Sequence, residues 1–100
     1  MLKKLGILVA TDEYVECLKG LLRQAGEGGV ETNCFLTDRG VRALQDPEFR
    51  ELVGANGSQL TVCEHSWERL GLGDPLPGFN FASQYQNAAM VGWADKVLVL

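Results

Sequence analysis

Lys3-Lys4-Leu5-Gly6-Ile7-Leu8-Val9-Ala10 is the stretch that decides the fold. It is an almost continuous apolar run containing β-branched residues, the pattern of a strand covered on both faces, as in parallel sheets. Asp12 and Glu13 interrupt it, and no small-residue cleavage site follows. A strand is therefore expected here, not a secretory signal.

Working outward, Thr11 or Asp12 is expected to cap a helix running to about Ala25, with Asp12, Glu13 and Glu16 in its first turns, where the dipole favours acids. Tyr14, Val15, Leu18, Leu21, Leu22 and Ala25 form its apolar stripe, and Gly26, Gly28 and Gly29 end it. Val30 to Leu36 alternates between apolar and polar residues, which reads as a strand nearer the sheet edge. After the turn Thr37-Asp38-Arg39-Gly40, a helix begins at Val41, and Pro47 divides it from a second piece, Glu48 to Val53.

Gln59-Leu60-Thr61-Val62 is a third strand ending at Cys63, with a helix from Glu64 to Leu70. Gly71 to Gly78 is irregular. Ser83 and Gln86 have capping-box spacing for a helix from about Ser83 to Val91, and Lys96 to Leu100 is a final strand. The order βαβαβαβ predicts an α/β fold: one domain over residues 1–100, with helices on both faces of a mainly parallel sheet. Four strands in the order 2-1-3-4 are expected, because the apolar first strand belongs inside the sheet and crossovers are right-handed.

Composition limits the function classes. One hundred residues with 46% hydrophobic content suit a single core. No apolar run approaches the ~20 residues that span a bilayer. A net charge of −4 argues against nucleic acid as a partner, which would need clustered Lys and Arg. Three cysteines with no CxxC pair and one histidine fit neither a disulfide framework nor a zinc site, so no metal or cofactor is expected and the setting reads as reducing and cytoplasmic. The loop Thr11-Asp12-Glu13-Tyr14 lacks phosphate-binding glycines, which disfavours a nucleotide.

Cys63 is the candidate for chemistry. A thiol where a strand hands over to a helix lies near the positive end of the helix dipole, which favours the nucleophilic thiolate. In an open parallel sheet that is also the edge where ligands bind. The competing reading is a small residue buried at a strand end. Cys17 and Cys34 read as packing residues on apolar faces. His65, two positions beyond Cys63, would point about 200° away on a helix and would pair with the thiol only if the first turn were distorted. Glu64 and Glu68 oppose thiolate formation, and Arg69 favours it if its guanidinium folds back. Trp67, Phe79, Phe81, Tyr85 and Trp93 crowd the last third of the chain, either forming an oligomer interface or completing the core under a long loop.

These residues resemble the DsrE/DsrF-like sulfur-relay family. The resemblance rests on Thr11 to Tyr14 after the first strand, on Phe35-Leu36-Thr37-Asp38-Arg39-Gly40-Val41, and on Cys63 followed by Arg69 and Gly71. Ala94-Asp95-Lys96-Val97-Leu98 is also similar. It implies a flavodoxin-like three-layer sandwich, assembly into homo-oligomers, and a cysteine that carries sulfane sulfur between donor and acceptor proteins. By position that cysteine is Cys63, with Thr11, Tyr14, His65 and Arg69 as binding residues around it. The alternative is a non-catalytic oligomeric module of the same fold, whose loop from Gly71 to Phe81 covers a groove for a small molecule or peptide.

Overall fold

The computed structural model describes residues 3–100, so Met1 and Leu2 of the predicted domain lie outside it. In chain order the elements are β1 (Lys4–Val9), α1 (Val15–Glu27), β2 (Glu31–Leu36), a 3-10 helix (Asp38–Gln45), α2 (Pro47–Asn56) and β3 (Gln59–Cys63). Then come α3 (Glu64–Arg69), β4 (Asn80–Ala82), α4 (Tyr85–Trp93) and β5 (Lys96–Val99). Among the described residues no helix is long and apolar enough to cross a membrane.

The sheet has five strands, all pairings parallel, in the order β4-β3-β2-β1-β5. This corrects the predicted four-stranded order 2-1-3-4 in two respects. A three-residue strand, β4, joins the edge beside β3, with Thr61 opposite Asn80 and Cys63 opposite Ala82. The third strand pairs with the second, not with the first. Crossovers of one hand that keep moving in one direction leave their helices on one face. Here β1, β2, β3 and β4 step steadily outward, and only the connection through α4 turns back across the sheet. Consistently, α1 packs on α2, while α4 packs across β1 and β2.

The strand β2 is central, not near an edge as its alternation suggested. Its Thr32, Cys34, Phe35 and Leu36 are buried. The polar residue Asn33 lies where the sheet is only half covered, and its amide donates to Gln59 Oε1 at 3.2 Å. Alternation here reports a partly open face. On the same face Gly6 lets α4 sit close, since a Cβ there would lie 3.1 Å from Ala94 Cβ.

Local signals set most of the remaining bounds. Asp46 caps α2, its Oδ1 accepting from Glu48 N at 2.9 Å, and Pro47 occupies the first turn as expected. The first helix starts later than expected, at Val15, because Thr11 Oγ1 accepts from Glu13 N and forms a local turn instead of a helical one. Lys19 is the buried surprise of α1. Its ammonium is held 2.7 Å from Glu16, 2.9 Å from Asp46 and 2.8 Å from Glu48.

Gly40 fixes how the chain leaves β2. A Cβ there would land on the Val9 carbonyl, whose oxygen accepts from Thr37 N at 2.9 Å. Gly40→Ala is expected to cost about 1–3 kcal/mol or more by overpacking against backbone, read as a lower urea midpoint. A wild-type midpoint would show that this approach can relax. The bonds from Lys19 hold the carboxyls of Asp46 and Glu48 below the usual carboxylate range. Folded values below the unfolded ones mean this stabilisation is present above about pH 4 and is lost as pH falls through the folded values. The stability gap between wild type and Lys19→Met, measured by urea unfolding, should therefore narrow from pH 7 to pH 3.

Candidate functional site

Parallel strands bring their C-terminal ends to one edge, and the register of β2 against β3 decides what meets there. Leu36 lies opposite Val62, so one residue further on Thr37 lies beside Cys63. Cys63 closes β3 and is the N-cap of α3, with φ −67° and ψ 110°. The chain after β4 returns to the same edge and delivers Ser83 and Gln84. These segments line a hollow of about 410 Å³ containing Thr37, Asp38, Cys63, Glu64, His65, Ser66, Arg69, Ser83 and Gln84.

Hydrogen bonds in the hollow converge on the sulfur. Gln84 Nε2 donates to Thr37 Oγ1 at 2.9 Å and lies 3.6 Å from Cys63 Sγ. Thr37 Oγ1 and Ser66 Oγ are 3.5 Å apart, and Ser66 Oγ accepts from Asp38 N at 2.9 Å. Asp38 holds this position with a left-handed φ of 48°, and Arg69 Nη2 donates to its Oδ1 at 2.9 Å.

Cys63 is 3% exposed. Burial pushes its pKa up, but bonds from the Ser66 hydroxyl and backbone N–H, from Gln84 and from Thr37 together hold it below the usual thiol value. Cys34 supplies the contrast inside the same molecule: fully buried, its thiol is pushed up to about 12 by burial.

The structure brings together part of the predicted set. Cys63, His65 and Arg69 line the hollow, with His65 and Arg69 exposed at its rim. Arg69 is engaged by Asp38. Thr11 and Tyr14 are not among the lining residues. In the order 2-1-3-4 the loop after β1 would have flanked Cys63, but β2 separates β1 from β3, and its own end, Thr37-Asp38, takes that place. The acids of the displaced loop instead approach Arg39 and Arg42 at 3.9–4.0 Å. Thr37, Ser66 and Gln84 were not among the predicted site residues. No local pattern marks Gln84, because its place depends on β4, which the sequence did not announce.

One further expectation is corrected. Cys17 is exposed, not packed, because it lies one helical step before Leu18 and off the buried stripe. Most of the clustered aromatics complete the core. Trp67 is buried, stacks edge-on against Phe81 at 5.2 Å and donates from Nε1 to the Gly73 carbonyl at 3.0 Å. Phe79 and Phe81 are half-buried against the core, Trp93 is half-buried under Lys4, and Tyr85 stands 77% exposed.

Comparison with solved structures places this architecture. The crystal structure of the ychN protein from E. coli superposes with a TM-score of 0.71 over the whole of both chains, at 21% sequence identity. The likeness shows a DsrE-like α/β fold and, at that identity, the fold alone. No protein-family model and no curated protein matches the chain.

In a Cys17→Ser protein, iodoacetamide at pH 7 should modify Cys63 and leave Cys34 untouched until the chain unfolds. Gln84→Leu keeps the cover over the sulfur but removes a donor. It should slow Cys63 alkylation about tenfold or more, since hydrogen bonds to charged groups contribute roughly 1.5–3 kcal/mol. Peptide mass analysis of timed samples reads both. Equal rates in Gln84→Leu would remove Gln84 from the site.

Proposed function

We propose that this chain is a sulfur carrier that holds sulfane sulfur as a persulfide on Cys63. The observation that carries the reading is the set of hydrogen-bond donors from Ser66, Gln84 and Thr37 converging on a thiol that opens onto a hollow. In the loading step the Cys63 thiolate attacks the outer sulfur of a donor persulfide. The new S–S bond forms on Cys63 as the donor's S–S bond breaks, and the donor leaves as a thiolate. In the unloading step an acceptor thiolate attacks the outer sulfur of Cys63–S–SH. The persulfide passes to the acceptor, and Cys63 departs as a thiolate into the donor set that stabilised it before. Sulfane sulfur moves and no external oxidant or reductant is required.

The partners on this reading are a sulfur-donor protein, an acceptor protein and further copies of the chain, in a reducing cytoplasmic compartment. Exposed apolar residues on α4 and β5, Tyr85, Val91, Leu98 and Val99, support assembly into a homo-oligomer. The fold likeness supports the sulfur reading only through architecture.

A binding-module reading has one observation in its favour. A groove of about 510 Å³ beside α4 is lined by neutral polar side chains, Asn33, Gln59, Thr61, Asn80 and Gln86, with Trp93 at one side. The two readings separate cleanly by chemistry. Incubated with a low-molecular-weight persulfide donor, the wild-type protein should gain the mass of one sulfur atom on the peptide carrying Cys63, and Cys63→Ser should gain none there. A Cys63 peptide that stays unmodified while remaining open to alkylation would overturn sulfur carriage and leave the groove as the working surface.

A further inference from the structure

Asp38 is the residue of the hollow whose conformation asks for an explanation. Among the described residues it is the one non-glycine with a left-handed backbone, φ 48°, a region that aspartate tolerates at some cost and β-branched residues avoid. Two contacts accompany it. Its side chain accepts from Arg69 Nη2, and its backbone N–H donates to Ser66 Oγ, each at 2.9 Å.

The second bond determines what Ser66 can do. A hydroxyl has one proton to give. With the Asp38 N–H occupying an acceptor lobe of Ser66 Oγ, the proton is left for a different neighbour, and those at hand are Thr37 Oγ1 at 3.5 Å and the Cys63 sulfur. Thr37 Oγ1 already accepts from Gln84 at 2.9 Å. The sulfur, anionic when ionised, is the better acceptor.

We propose that Asp38 is a positioning residue for Cys63: its left-handed backbone N–H, held in place by Arg69, fixes Ser66 so that the Ser66 hydroxyl donates to the sulfur. Arg69 then serves the thiol through Asp38. The charged and titratable groups around this sulfur are Asp38 after β2 and Glu64, His65 and Arg69 on α3, while Ser83 and Gln84 before α4 add no charge. The inference rests on Cys63 being the working group of the site. Its readout is thiol ionisation, so it can fail while sulfur carriage stands, and sulfur carriage can fail while it stands.

The test follows the alkylation rate of Cys63 from pH 5 to pH 10 in the Cys17→Ser protein, with far-UV circular dichroism confirming the fold. Ser66→Ala should lose about tenfold or more in rate at pH 7, the worth of one hydrogen bond to a charged group, and recover it at high pH. Asp38→Val, which disfavours the left-handed backbone, should show the same pH-dependent loss. Asp38→Gly, which tolerates that backbone, should lose less than Asp38→Val. The decisive comparison is the double variant: adding Asp38→Val to Ser66→Ala should cost less than a further twofold, because both act through one bond. Fully additive losses, a loss that is the same at every pH, or Asp38→Gly as damaging as Asp38→Val would each overturn the proposal. Should Asp38→Val not fold, the comparison of Asp38→Gly with Ser66→Ala and their double variant decides by the same additivity criterion.

Discussion

The parallel register of β2 against β3 is the constraint on which the hollow depends. Two parallel strands in step end at the same edge, so the residues just past Leu36 and Val62 must face one another. One is Thr37 and the other is Cys63. A register shift of a single residue would turn Cys63 to the opposite face of the sheet. Gly40 protects the arrangement from the side of β1, because only a residue without Cβ lets the 3-10 helix pass the Val9 carbonyl. The packing of β1, which decides the fold, thus also decides where the second strand's loop can go.

Within this frame the chemistry of the sulfur is a competition between burial and donation. Cys34 and Cys63 are both buried, yet burial pushes one thiol up to about 12 while the other sits below its ordinary value. The difference is not depth. Cys34 lies in mid-strand, where backbone donors are committed to the sheet and neighbouring side chains are apolar. Cys63 lies where a strand stops and a helix starts, so the Ser66 N–H is one of the orphan donors of a helix beginning and is free to point at it. The six-residue helix α3 has little dipole of its own to offer. Specific bonds to named atoms do what the sequence had credited to a helix field.

How much of this was legible depends on the range of the interaction. Elements set by local chemistry were read nearly in place: the apolar run of β1, the Pro47 start of α2, the end of β3 at Cys63. What failed was the pairing of elements far apart in sequence. Nothing in Leu5 to Val9 distinguishes β3 from β5 as its second neighbour, since both are short apolar strands after helices. The alternation of β2 pointed to an edge because an uncovered patch of a central strand and an edge strand expose the same residue types. From the wrong neighbour followed the wrong loop, so Thr11 and Tyr14 were placed where Thr37 and Asp38 belong. β4 escaped notice for a different reason: three residues carry too little period to register as a strand.

Gln84 shows how a local rule gives way at this site. It stands at the N-cap of α4, where a side-chain oxygen would ordinarily accept from the first turn, and it makes no such bond. Ser83 instead accepts from Tyr85 N at 3.3 Å. The Gln84 amide is turned outward from its own helix toward Thr37 and the Cys63 sulfur. A helix start left without its best cap loses some stability, and the side chain that would have capped it gives its amide N–H to the thiol site instead. Departures of this kind, where local preference and observed geometry disagree, gather where a fold has been bent to a task. In this chain two lie side by side, the left-handed Asp38 and the start of α4 that Gln84 leaves uncapped by its own side chain, and the N–H groups of both lead to the same sulfur.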